Sequence, residues 1–165
     1  MRKGFSLIEM LIYVTLLSLL MGVIASTMFS ITRSYKEASY SRVLESTGLH
    51  VMDRLTREIK NADSVDLVSS TFSSNPSRIL LNGTDTTGVA YTTEFFVENS
   101  VLKIKENGVL SGQITPDGVD VDSFVLRYID TDTADGIKIE LRLETGTSTD
   151  TNVENFYSTA SLRNF

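Results

Sequence analysis

Three spacings of apolar residues divide this chain. Over residues 5–31 apolar side chains run almost without a break, and residues 10–32 are 23 positions without a charge. At about 1.5 Å of rise per residue, 23 positions make a helix of roughly 35 Å, enough for a hydrocarbon core of about 30 Å. Over residues 33–63 the apolar positions gather into one helical stripe. Around Leu55, the positions Leu44, Gly48, Val51, Met52, Ile59 and Ala62 fall within about 60° at 100° per residue. The two patterns join without a break, so one helix over about residues 5–62 is predicted, ending at Asn61-Ala62-Asp63-Ser64.

After Ser64 the period changes to two. Leu102 and Ile104 alternate with Lys103 and Lys105; Ile137, Ile139, Leu141 and Leu143 alternate with Lys138, Glu140 and Arg142. Such alternation predicts half-buried antiparallel strands. Residues 78–81, 89–97, 119–129 and 156–162 are further candidates. Turns are expected at Ser73-Ser74-Asn75-Pro76, Asn82-Gly83, Glu106-Asn107-Gly108, Thr115-Pro116-Asp117-Gly118 and Ala134-Asp135-Gly136. The polar stretches 69–77 and 145–155 read as mobile loops. The simplest arrangement is α+β: the helix stripe laid across one face of a single antiparallel sheet.

Composition narrows the chemistry. The chain has 165 residues, no Cys and one His. Disulfides, thiolate zinc sites, cysteine nucleophiles and multi-histidine metal sites are excluded, and general-base chemistry has few candidates. His50 falls off the apolar stripe and reads as a surface residue. A catalytic role for it is disfavoured, and no enzyme activity is expected. Residues 64–165 hold 15 acids and 7 bases, a net −8. That charge opposes general nucleic-acid binding. Asn82-Gly83-Thr84 fits a glycosylation acceptor but reads more simply as a hairpin turn.

The start of the chain is more specific. Arg2 and Lys3 precede the apolar run, which is longer than the core of an ordinary signal peptide and lacks a clear cleavage site after it. A retained membrane helix is expected, with its N-terminus in the cytoplasm by the positive-inside rule. Glu9 is the one ionisable residue in the apolar run. At a bilayer centre a carboxylate costs roughly 2.5–3.5 kcal/mol, so such residues usually have a partner and a function.

The run Lys3-Gly4-Phe5-Ser6-Leu7-Ile8-Glu9-Met10-Leu11-Ile12 resembles the cleavage and methylation motif of type IV pilins and type II secretion pseudopilins. The resemblance covers about 30 residues. It implies a leader, residues 1–4, cut after Gly4 by a prepilin peptidase that also methylates the new N-terminus at Phe5. It implies a filament-core and transmembrane helix over 5–32, an amphipathic continuation over 33–63, and a sheet domain over 64–165, which together make the pilin fold. Glu9 would pair with the N-terminal amine of a neighbouring subunit. Expected partners are other pilin or pseudopilin subunits, the peptidase, an inner-membrane assembly platform and the lipid bilayer. The expected location is a single pass in the inner membrane, with the sheet domain outside, followed by an extracytoplasmic filament. The missing Cys, the short sheet domain and the absence of Pro from the apolar run favour a minor subunit. The alternative is a membrane-anchored extracytoplasmic binding module that does not polymerise; it would have no use for Gly4-Phe5 or Glu9.

Asp130-Thr131-Asp132-Thr133-Ala134-Asp135-Gly136 has the look of an acidic calcium loop, with Asp130, Asp132 and Asp135 as candidate ligands. Its Gly falls one position late for an EF-hand loop, and no Glu stands at position twelve. A plain turn between two strands is the simpler expectation, and no other cofactor is implied.

Overall fold

A computed structural model describes residues 6–130, 135–147 and 150–162. It opens with one helix, α1 (Leu7–Asn61), 55 residues long. Eight strands follow among the described residues: β1 (Ser64–Val65), β2 (Ile79–Thr84), β3 (Ala90–Glu98), β4 (Val101–Glu106), β5 (Val109–Gln113), β6 (Asp120–Ile129), β7 (Gly136–Thr147) and β8 (Asp150–Ser161). The architecture is α+β with antiparallel pairing throughout. Two compact units divide the chain, Met1–Ser39 and Tyr40–Phe165.

The strands form two sheets rather than the expected one: β1-β2-β3-β4-β5 and β6-β7-β8. Alternation reports which residues of a strand face a core; it carries no information on which strands share a ladder. The stripe is as expected. Leu44, Gly48, Val51, Met52, Leu55 and Ile59 are buried on α1, and Ala62 follows. They join Ile79, Leu81, Phe95, Leu102 and Ile104 of the first sheet and Phe124, Leu126, Ile137, Ile139, Leu141 and Leu143 of the second in one core. Gly48 has a packing reason. A Cβ there would lie 2.1 Å from the Phe156 ring of β8, so the ring sits directly against the helix backbone.

One turn expectation fails and another holds. Asn82-Gly83 lies inside β2, where Gly83 pairs with Tyr91 across the ladder and a Cβ would meet that ring at 2.5 Å. The chain reverses later, at Asp85. Its carboxylate accepts from the Thr87 hydroxyl and from the backbone N–H of Val89 and of Thr87, bonds that hold it below the usual carboxylate range. Asn107-Gly108 is the tight link between β4 and β5, with φ of 51° and 78°. Both residues have positive φ, as a two-residue hairpin link requires.

The expected loop 145–155 is largely strand. β7 and β8 pair from Gly136↔Ser161 to Thr147↔Asp150. Its polar sequence hid it, because the register is carried by the ladder rather than by burial. The other expected loop, residues 69–77, does irregular work along the free side of β6. Ser77 N donates to Phe124 O at 2.7 Å and Ser73 N to Leu126 O at 2.8 Å. In return, Phe124 N donates to Asn75 Oδ1 and Leu126 N to Ser77 Oγ. Val121 N reaches Ser100 O. The β6 edge is thereby closed by side chains and backbone instead of by a strand.

Candidate functional site

The candidate site is the first part of α1. Ser6 O accepts from Glu9 N at 3.0 Å and from Met10 N at 3.2 Å, so Ser6 caps the helix and Glu9 is its third residue. A carboxylate in that first turn is favoured by the partial positive charge of the helix N-terminus. Glu9 itself is exposed. Gly4 and Phe5 lie outside the described residues.

From Met10 to Thr32 every described side chain is exposed, including Leu11, Leu16, Leu19, Met21, Ile24, Phe29 and Ile31. The helix is long and apolar enough to cross a membrane. Five of its hydroxyl residues bond to the helix's own carbonyls. Thr15 donates to Leu11 O, Ser18 to Val14 O, Thr27 and Ser26 to Val23 O, and Thr32 to Met28 O, all within 2.8–3.0 Å. A hydroxyl bonded to a carbonyl one turn back leaves no donor orphaned in hydrocarbon, where an unmade bond costs several kcal/mol. Glu9 is the one carboxylate among residues 7–32, and no backbone carbonyl can serve it as these serve a hydroxyl.

The acidic loop is a different matter. Asp132 lies outside the described residues, so the expected calcium trio cannot be assembled from what is described. Among the described residues no three His, Asp or Glu side chains gather in a group able to hold a metal ion. The Asp135 carboxylate accepts a hydrogen bond from the Tyr128 hydroxyl. That bond, with burial and the charges of Asp135 and Asp130, pushes the Tyr128 phenol up to about 12. Asp135 O also accepts from Leu162 N at 2.9 Å. The described part of the loop thus reads as a strand connection anchored to β6 and to the end of β8. His50 is exposed on α1 beside Arg54, whose guanidinium pairs with Glu58 at 3.2 Å and Glu106 at 3.5 Å.

Comparison with known proteins adds one positive result. Residues 1–25 match the family model described as the prokaryotic N-terminal methylation motif. No curated protein matches the chain, and no solved structure does. A long apolar helix, a single carboxylate in its first turn and that motif coincide over the same residues: the chain carries the prepilin-type N-terminal signature of type IV pilin-like proteins.

Proposed function

We propose that this chain is a structural subunit, a minor pilin or pseudopilin, of a type IV pilus-like filament. It is made as a prepilin, cleaved between Gly4 and Phe5, and methylated on the new terminal amine. The observation that carries this reading is the motif over residues 1–25 placed on a helix whose apolar first part, residues 7–32, has Glu9 as its one carboxylate. After cleavage the Phe5 amine lies one helical turn from Glu9. Once a helix of this kind leaves lipid for a protein core, amine and carboxylate each need a counter-charge, and a neighbour supplies it. The role is mechanical rather than catalytic. The chain is the substrate of a prepilin peptidase and rests in the inner membrane, N-terminus inward, before an assembly platform draws it into the filament. The test is intact-mass measurement of the membrane-purified protein from a host with a prepilin peptidase. Loss of residues 1–4 and gain of one methyl group are expected. A full-length, unmethylated chain in such a host would overturn the assignment and favour a non-polymerising anchored module.

A further inference from the structure

The two edges of the β6-β7-β8 sheet are treated very differently. The direction of each backbone group follows from one bond. Leu162 N donates to Asp135 O, which makes Asp135↔Leu162 a hydrogen-bonded pair just beyond the β7–β8 ladder. Bonded and non-bonded pairs alternate in an antiparallel ladder. No register shift interrupts β7–β8. Residues 154, 156, 158 and 160 therefore bond to β7, and Val153, Asn155, Tyr157, Thr159 and Ser161 aim N–H and C=O away from it. The same parity applied to β6 points Phe124 and Leu126 outward, and those are the residues that Asn75, Ser73 and Ser77 cap. On β8, no backbone bond from the five outward residues to a described residue stands outside the β7–β8 ladder.

An edge of this length is normally blunted by Lys, Pro or a bulge. Residues 153–161 contain none of these, and their one charge, Glu154, is not among the outward set. Val153 and Tyr157 are exposed, Tyr157 to 68%.

We propose that the outer edge of β8 pairs antiparallel with β8 of a second copy of this chain, about a two-fold axis at Tyr157. The register sets Tyr157 opposite Tyr157, Asn155 opposite Thr159 and Val153 opposite Ser161. The outward groups of both strands then meet, and two three-stranded sheets become one of six. Glu154 falls opposite Ala160, so the one charge of the strand does not face its own copy. The two tyrosines pair on the exposed face, a favoured cross-strand combination. Such a contact is isologous and closes at two copies. It is therefore separate from the polar, repeating contacts of a filament, and it belongs to the membrane-resident pool whether or not filaments form.

The test uses the full chain in native membranes. The chain has no Cys, so Tyr157→Cys introduces a single thiol. Facing Cα atoms in a hydrogen-bonded pair stand about 5.5 Å apart, within disulfide reach. Oxidation is expected to give a species of twice the monomer mass. Val68→Cys, at 96% exposure on a turn, is the control and is expected to give little. Adding Val153→Lys and Ser161→Lys sets Lys against Lys twice and is expected to lower the linked fraction about tenfold relative to Val153→Lys with Ser161→Glu, which sets Lys against Glu. Equal linking at position 68, equal linking in the two charge variants, or linking of Tyr157→Cys to a protein of another mass would each overturn the proposal.

Discussion

At the scale of single residues, Glu9 and Tyr128 show what one sequence exposes and what it conceals. Glu9 was legible because a lone charge in an apolar run has no cheap explanation. Its replacement by Gln keeps shape and removes charge. Membrane content of the Glu9→Gln chain is expected to stay at the wild-type level, since an ionisable group disfavours the lone helix in lipid. Entry into filaments is expected to fall, because stripping a buried ion pair of one partner costs about 3–5 kcal/mol, a hundredfold or more per subunit. Sheared-filament yield against membrane content measures this, and equal incorporation would remove the role assigned to Glu9. Tyr128 was not legible. Its partner Asp135 lies across a polar connection that reads from sequence as an acidic loop, and only folding brings the two together. A folded phenol raised to about 12 contributes stability that is complete below the ordinary tyrosine range, about pH 10, and is lost as pH climbs through 12. Absorbance titration is expected to show a late tyrosinate step near pH 12, and Tyr128→Phe is expected to abolish it. Persistence of that step would mean another tyrosine carries it.

At the scale of elements, legibility followed burial. The stripe on α1 was read correctly because seven buried positions repeat at helical spacing, and β4 and β7 because their faces alternate strictly. Strand β5 escaped: Val109 and Leu110 are both exposed, and the ladder shifts register between Ile104 and Lys105. The polar half of β8 escaped for a related reason, since an edge strand needs no apolar code to pair. The segment 69–77 was recognised as irregular but not as a cap, because nothing in Ser-Ser-Asn-Pro names the distant strand it serves. That cap has a measurable worth. Ser77 is 1% exposed and its Oγ accepts from Leu126 N at 3.0 Å. Ser77→Ala leaves a buried N–H without an acceptor and is expected to cost about 1–3 kcal/mol by denaturant unfolding. Ser74→Ala, at an exposed and longer contact of 3.3 Å, is expected to cost far less. Equal costs would show that the β6 edge does not depend on Ser77.

At the scale of the molecule, the helix belongs to two solvents. Its uncharged stretch lies in the unit Met1–Ser39, and its buried stripe lies wholly in Tyr40–Phe165. The core of the second unit draws on no described residue before Leu44. A fragment of residues 40–165 is therefore expected to fold and stay soluble without detergent. Far-ultraviolet circular dichroism with a cooperative thermal transition would establish it. An aggregated product, or one without a transition, would show that the sheets need the preceding helix. The amphipathic pattern starts at residue 33, and the first buried residue of the helix is Leu44. Arg33 and Glu37 explain the gap: they pair with each other at 3.1 Å on an exposed turn and commit that turn to neither core.

The order of these parts along the chain constrains how the protein matures. The stripe on α1 is synthesised first, yet the ring that rests on Gly48 belongs to Phe156, and Ala160 and Leu162 complete the same core. Under the proposed topology, the stripe emerges from the membrane before any strand can cover it. Part of that greasy face must wait, tethered at the bilayer surface, until β8 has crossed. Truncation in β8 then becomes a defect of timing as well as of packing: the nascent chain never buries its stripe and remains a target for quality-control proteases.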